Sequence, residues 1–267
     1  MAFKLTTKST NIEDIVIPIE KIHNKGFVSK FSDFYKINKK VSMGPKGQIF
    51  IVEDLQRNEE KRIAKIMKKK SATISLTLTE KNLNNLLQID HPNIGRILDI
   101  MEDEKNIYMI QDYYEEGDLY NFILKHKKIG EKICKIIIRQ LLEAVNFLHQ
   151  SNVCHRDIKP QNIFVVKFDE KNIKETMIKL TDFGSSCYFK DCLALSDFPG
   201  TPSFSSPEII NGKYDQKTDI WSIGIVSYFL LCGKLPYKGK DYDIMFKVNF
   251  LFFEFLIIFI NISIDPK

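Results

Sequence analysis

Residues 155–162 read His-Arg-Asp-Ile-Lys-Pro-Gln-Asn, and residues 182–184 read Asp-Phe-Gly. The first run places a carboxylate (Asp157), a cation (Lys159) and an amide (Asn162) at fixed offsets on one loop. The second offers another carboxylate, Asp182, two residues before a glycine. These groups suit the movement of a phosphoryl group from a magnesium nucleotide to a hydroxyl, a reaction governed by positioning and charge neutralisation. In that chemistry Asp157 would orient the acceptor hydroxyl as a base, and Lys159 would neutralise charge on the transferred group. Asn162 would give a neutral oxygen to a magnesium ion, and Asp182 an anionic oxygen bridging metal and nucleotide phosphates. The bland alternative is a chance loop beside an ordinary turn. The number of matching positions weighs against it.

Loops of this kind need a scaffold. From Tyr35 to Tyr113 short apolar runs at 35–43, 48–53, 61–67, 97–101 and 107–111 alternate with turns. They predict an antiparallel sheet of about five strands. Between the third and fourth, Leu83, Leu86, Leu87 and Ile89 predict an amphipathic helix over Thr79–Ile89. After Glu115-Glu116-Gly117 the pattern becomes helical. Leu119, Ile123 and Leu124 suggest a short helix. Ile133, Ile136, Ile137, Leu141, Val145 and Leu148 suggest a long one. Trp221 to Leu231 is apolar all round, as in a helix at the centre of a lobe. The expectation is an α+β, bilobal chain. It has an N-terminal extension over 1–33, a sheet-rich lobe over 34–112, a helical lobe over 116–248 and a cleft near 112–118.

The 267 residues are 44% hydrophobic and 27% charged, enough apolar material for one large domain or two small lobes. The net charge of +5 reads as solubility, because no basic stripe stands beside aromatic residues; nucleic acid is not an expected partner. Lys68-Lys69-Lys70 reads as a solvated turn at a strand end. Five scattered cysteines without a Cys-x-x-Cys pair read as reduced thiols in a cytoplasmic protein. The N-terminus has no apolar signal core, and Ala2 rules out N-myristoylation of the sequence as written.

From about Phe34 to about Val248 the chain resembles a eukaryotic-type Ser/Thr protein kinase, and the resemblance implies the bilobal fold of that family. Lys159 and Gly200-Thr201-Pro202-Ser203-Phe204-Ser205-Ser206-Pro207-Glu208 resemble its Ser/Thr-specific pattern. Thr201 would then hydrogen-bond Asp157 and Lys159. Asp219-Ile220-Trp221-Ser222 resembles the start of the central helix, whose Asp braces the catalytic loop. ATP and Mg2+ are the implied cofactors, and proteins with Ser/Thr hydroxyls the implied substrates. Ser42-Met43-Gly44-Pro45-Lys46-Gly47-Gln48-Ile49 occupies the place of the Gly-rich loop; Gly44 and Gly47 match, and Ser42 replaces the first glycine. Lys65 would grip the α- and β-phosphates. Val41, Ile49 and Ile63 would surround the base, the backbone of Asp112 and Tyr114 would meet adenine, and Asp118 would accept from a ribose hydroxyl. Gln111 is at the gatekeeper position. The residue that should pair with Lys65 is Asn82, with Glu80 two positions earlier, so the usual ion pair gives way to a neutral bond or a shifted helix.

Ser32-Asp33-Phe34-Tyr35-Lys36-Ile37, Asp90-His91-Pro92-Asn93-Ile94 and the run Gly212 to Ser222 resemble the calcium/calmodulin-regulated class, and within it the calcium-dependent protein kinases of protists and plants. No Asp-rich twelve-residue calcium loop occurs in the sequence, so calcium control would need a separate sensor. Arg156 would pair with an anion on the segment from Ser185 to Ser206, such as phospho-Ser196 or Asp197.

The resemblance is expected to stop near Val248. Glu208 then lacks its usual Arg partner, and Phe250 to Ile264 is an atypical apolar tail. At about fifteen residues it is short of the roughly 18–20 needed to span a bilayer. Three readings compete for 249–267: a mispredicted or non-coding end to a truncated kinase domain, a substitute helix, and a membrane anchor, the last disfavoured for want of a basic face. A nucleotide-binding pseudokinase is the alternative function. Ser42, Asn82 and Gln111 favour it, and intact Lys65, Asp157, Asn162 and Asp182 oppose it.

Overall fold

The computed structural model describes residues 18–21, 24–44, 47–68, 87–103, 105–126, 129–169, 171–188, 200–210 and 214–236. The expected helix over 79–89 falls mostly outside these residues, with Glu80 and Asn82, as do Ser196, Asp197 and the tail over 249–267. Two compact units emerge: the described residues of 1–69 with 98–111, and those of 70–97 with 112–267.

The first unit is a sheet. All five expected strands are present: β3 (Tyr35–Gly44), β4 (Gly47–Asp54), β5 (Glu60–Lys68), β6 (Ile97–Glu102) and β7 (Asn106–Asp112). Two further strands, β1 (Pro18–Lys21) and β2 (Asn24–Lys30), come from the segment read as an extension. The sheet is seven-stranded, in the order β2-β1-β6-β7-β5-β4-β3. The β1–β2 hairpin joins it by antiparallel pairing of Glu20 with Glu102 and Lys21 with Met101.

Alternation explains the core. On β4 the buried positions Phe50, Val52 and Asp54 are two apart, as the pleat requires. Phe31, Tyr35, Phe50, Val52, Ala64, Met101, Tyr108 and Ile110 form the apolar cluster. The Phe31 ring lies 5.5 Å from that of Tyr35 and 5.3 Å from that of Tyr108. An aromatic of the supposed extension is thus part of this core.

The second unit is mainly helical: α1 (Leu119–His126), α2 (Glu131–Gln150), α3 (Pro207–Ile210) and α4 (Lys217–Cys232). On α2 the buried residues Cys134, Ile137, Ile138, Leu141, Ala144, Val145 and Leu148 recur at helical spacing and form one stripe. α4 is buried all round, as its sequence predicts. On α1, Leu119 and Ile123 are buried as expected, but Leu124 is 58% exposed. Phe122 takes the inward place instead, its ring 4.8 Å from that of Phe168.

Short strands hold the loops. β9 (Ile163–Lys167) pairs with β10 (Met177–Leu180), and β8 (Val153–Cys154) with β11 (Cys187–Tyr188). The described residues 87–97, just before and into β6, cluster with this unit. Hydrogen bonds explain why. Gly95 N–H donates to Leu180 O at 2.7 Å, Leu180 N–H to Asn93 O at 2.9 Å, and Asn93 Nδ2 to Ile178 O at 3.1 Å. These bonds stitch the His91–Gly95 segment onto β10.

Cys134 and Cys154 are buried free thiols and Cys232 an exposed one. Cys187 is disulfide-bonded, which corrects the expectation of reduced thiols throughout. No helix among the described residues is long and apolar enough to cross a membrane.

Candidate active site

The loop 155–162 is held from three sides. Asp219, fully buried on α4, accepts the backbone N–H of His155 on Oδ2 and that of Arg156 on Oδ1, both at 2.9 Å. His149 Nε2 of α2 also meets Oδ2 at 2.9 Å. Burial alone would raise this carboxyl's pKa. The His149 bond, the nearby His155 and the backbone donors outweigh burial and hold it below its ordinary value. Cys154 borders the same carboxylate, and burial pushes its thiol well above the ordinary range.

Arg156 has φ 64°, a left-handed conformation uncommon for a non-glycine residue. That turn aims two successive N–H groups at Asp219. His155 fixes the other side. Its Nδ1 accepts the Asp157 N–H at 3.3 Å, so the proton sits on Nε2 and is donated to Thr181 O at 3.0 Å.

Asp157 is the centre of a triangle. Thr201 Oγ1 donates to its Oδ1 at 3.0 Å, Lys159 Nζ donates to its Oδ2 at 3.1 Å, and Lys159 Nζ reaches Thr201 Oγ1 at 2.7 Å. Its side chain is 2% exposed. Gly200 lets Thr201 approach. Its φ is 96°, and a Cβ there would meet Arg156 O at 2.5 Å and Asp157 Oδ1 at 3.4 Å. The structure therefore brings Asp157, Lys159 and Thr201 together.

Asn162 and Asp182 flank one hairpin end. Ile163 pairs with Leu180, and Thr181 N–H donates to Asn162 O at 2.8 Å. Asn162 Nδ2 donates to Asp157 O at 2.7 Å, which turns its Oδ1 the other way, with no donor among the described residues. Asp182 has φ 65° and accepts from Gly184 N–H at 3.1 Å. Behind it Phe183, 1% exposed, packs edge-on against His155 at 5.3 Å. A carboxylate and an amide oxygen are hard donors of the kind magnesium takes alongside water and substrate phosphates, so the residues present fit that ion. Among the described residues no group of three or more His, Cys, Asp or Glu is placed to hold a metal by itself.

The expected nucleotide residues divide between the units. In the sheet, Gly44 pairs with Gly47, Ile49 with Lys65 and Ile51 with Ile63. Gly47 has φ 132°, and a Cβ there would meet Ile66 O at 2.4 Å, so only glycine fits this turn. Lys65 is 5% exposed and Val41 53% exposed. Gln111 Nε2 contacts Met109 Sδ at 3.6 Å.

In the helical unit, Asp112 and Tyr114 are half-buried. Asp118 caps α1, with Oδ1 accepting the Asn121 N–H at 2.9 Å and Oδ2 accepting Asn121 Nδ2 at 2.7 Å. The expectation from sequence gave Asp118 a ribose and missed this cap, although an Asp immediately before a helical run is a start signal. It also missed Phe164, whose ring lies 5.6 Å from that of Tyr114 and whose backbone bridges Asp118.

These features define a protein kinase. Residues 35–262 match the protein kinase domain family, and the chain belongs to it. Over 236 residues the chain is 33% identical to calcium-dependent protein kinase 3 of Plasmodium yoelii yoelii, covering 86% of this chain and 43% of that protein. Over 222 residues it is 35% identical to calcium-dependent protein kinase 4 of Plasmodium falciparum (isolate 3D7), covering 82% and 41%. The crystal structure of Rad53 1-466 in complex with AMP-PNP is similar, with a TM-score of 0.65 at 28% identity, covering 80% of this chain and 52% of that one. The chain thus spans about two fifths of the length of the curated relatives it matches.

Proposed function

We propose that this chain is the catalytic part of a Ser/Thr protein kinase that transfers the γ-phosphoryl group of ATP to protein hydroxyls. The observation that carries this reading is the Asp157–Lys159–Thr201 triangle. A carboxylate gripped on both oxygens, by a cation and by a hydroxyl, has a fixed direction for its remaining lone pairs. Asp157 then orients the acceptor Ser or Thr and receives its proton. Lys159 is positioned to offset charge on the group in transit, and Thr201 holds both partners in register.

Asn162 and Asp182 are the proposed holders of Mg2+, which when bound neutralises phosphate charge. Lys65 is the proposed phosphate ligand. Val41, Gly44, Gly47, Ile49, Ile63, Asp112 and Tyr114 are the proposed nucleotide-binding set, with Asp118 offered to the ribose by whatever lone pairs its cap leaves. The strand pairing of Ile49 with Lys65 and the glycine-only turn at Gly47 support this assignment. The working division is a small lobe over 34–112 and a large lobe over 116–248. The buried Phe31 argues for extending the first to include residues 18–33.

The names of the relatives attach calcium dependence to them. For this chain we place calcium control in a sensor outside these residues, and the protein in the cytoplasm. Magnesium-dependent transfer from ATP to a basic Ser/Thr peptide tests the main reading, with Asp157→Asn as control. Transfer that is abolished in the control supports it. Nucleotide binding without transfer would point instead to a pseudokinase.

A further inference from the structure

Arg156 is only 4% exposed, and none of the ion pairs among the described residues includes it. Two of its side-chain donors meet neutral oxygens. Nε donates to Ser185 O at 2.5 Å, and Nη1 donates to the Tyr214 hydroxyl at 3.0 Å. Tyr214 is 5% exposed and sits in an apolar cluster with Cys154, Cys187 and Ile209. It lies just before α4, five positions from Asp219. The segment leading into α4 therefore grips Arg156 twice, by the backbone from Asp219 and by the guanidinium from Tyr214. The residue so gripped has φ 64° and immediately precedes Asp157.

We propose that Tyr214 is a positioning residue. Its hydroxyl, rather than an anion from the segment after Ser186, holds Arg156 and through it the backbone beneath Asp157. An arginine with no counter-charge among the described residues needs its donors matched by fixed acceptors, because an unmatched buried donor is costly. Ser185 O and the Tyr214 oxygen meet that need for two of its donors, on Nε and Nη1. The catalytic loop is then set without phosphorylation.

This inference rests on the kinase reading above, and the test separates the two. Tyr214→Phe removes one oxygen and keeps the ring in its cluster. The native chain, treated with phosphatase until mass spectrometry finds no phosphate, should retain peptide phosphorylation within about twofold. Tyr214→Phe should lose about tenfold in kcat, with KM for ATP and for peptide within about twofold, the loss expected for one charge-assisted hydrogen bond. Amide hydrogen exchange at Arg156 should be faster in Tyr214→Phe than in the native chain. A native kcat or unchanged Arg156 exchange in the variant overturns the proposal, as does loss of activity on phosphatase treatment. If the native chain transfers nothing in any state, the kinase reading falls, and the exchange comparison alone decides the tether.

Discussion

Asp219 holds Arg156 by the backbone. Its Oδ1 accepts the Arg156 N–H at 2.9 Å, at a residue turned to φ 64°. A left-handed non-glycine residue costs on the order of 1–3 kcal/mol and persists only where its surroundings over-determine it. Here the over-determination is visible, in a carboxylate that takes two backbone donors and a histidine. Asp219→Asn presents an amide N–H to donors on one side. We expect it to destabilise the chain by about 3 kcal/mol and to lower kcat, read by urea unfolding and by peptide phosphorylation.

The same carboxylate makes acid stability predictable in sign. Its pKa is held below the ordinary 3.8, so the folded state binds the proton less readily than the unfolded one. The stabilisation is fully present above 3.8 and drains away as pH falls through the depressed value. Urea midpoints taken from pH 6 downward should fall in that acid range, and Asp219→Asn should remove part of that dependence. A variant with the same acid slope as the native chain would count against this assignment.

Thr201→Val should separate the triangle's hydroxyl from its shape. It removes the bonds to both Asp157 and Lys159 while nearly keeping volume. We expect kcat to fall about tenfold, with most of it restored in Thr201→Ser. Equal kcat in Val and Ser variants would mean the hydroxyl does not orient Asp157.

Phe31→Ala should cost about 3–5 kcal/mol in unfolding of the sheet unit, because it empties a site 8% exposed between two tyrosine rings. Denaturant unfolding measures it. A shift below about 0.5 kcal/mol would return the segment before residue 34 to the status of an appendage.

Sequence and structure agree where information is local. The five strands between Tyr35 and Asp112 are short apolar runs bounded by turns, and β4 alternates in burial, so local pattern finds them. The hairpin over 18–30 was illegible because Pro18-Ile19-Glu20-Lys21 carries no alternation; its pairing partner, Met101, lies far along the chain. Leu124 and Phe122 show the limit of a short helical stripe, since either fits the spacing and only Phe168 decides between them. At the site, Asp157, Lys159, Asn162 and Asp182 were readable because one loop and one turn contain them. Tyr214 and His149 were not. The first meets Arg156 across 58 positions and the second meets Asp219 across 70, and neither spacing has a sequence signature.

The hairpin also changes what the sheet shows to other molecules. With β1 laid on β6, the outermost strand on that side is β2, Asn24–Lys30. An outermost strand carries unmatched backbone donors and acceptors that could template another chain. This one is seven residues long, with Lys25 and Lys30 in its sequence and Gly26 between them. Charge and a weak strand former in that position disfavour self-adhesion, so the margin added to the sheet comes with its own protection against clumping.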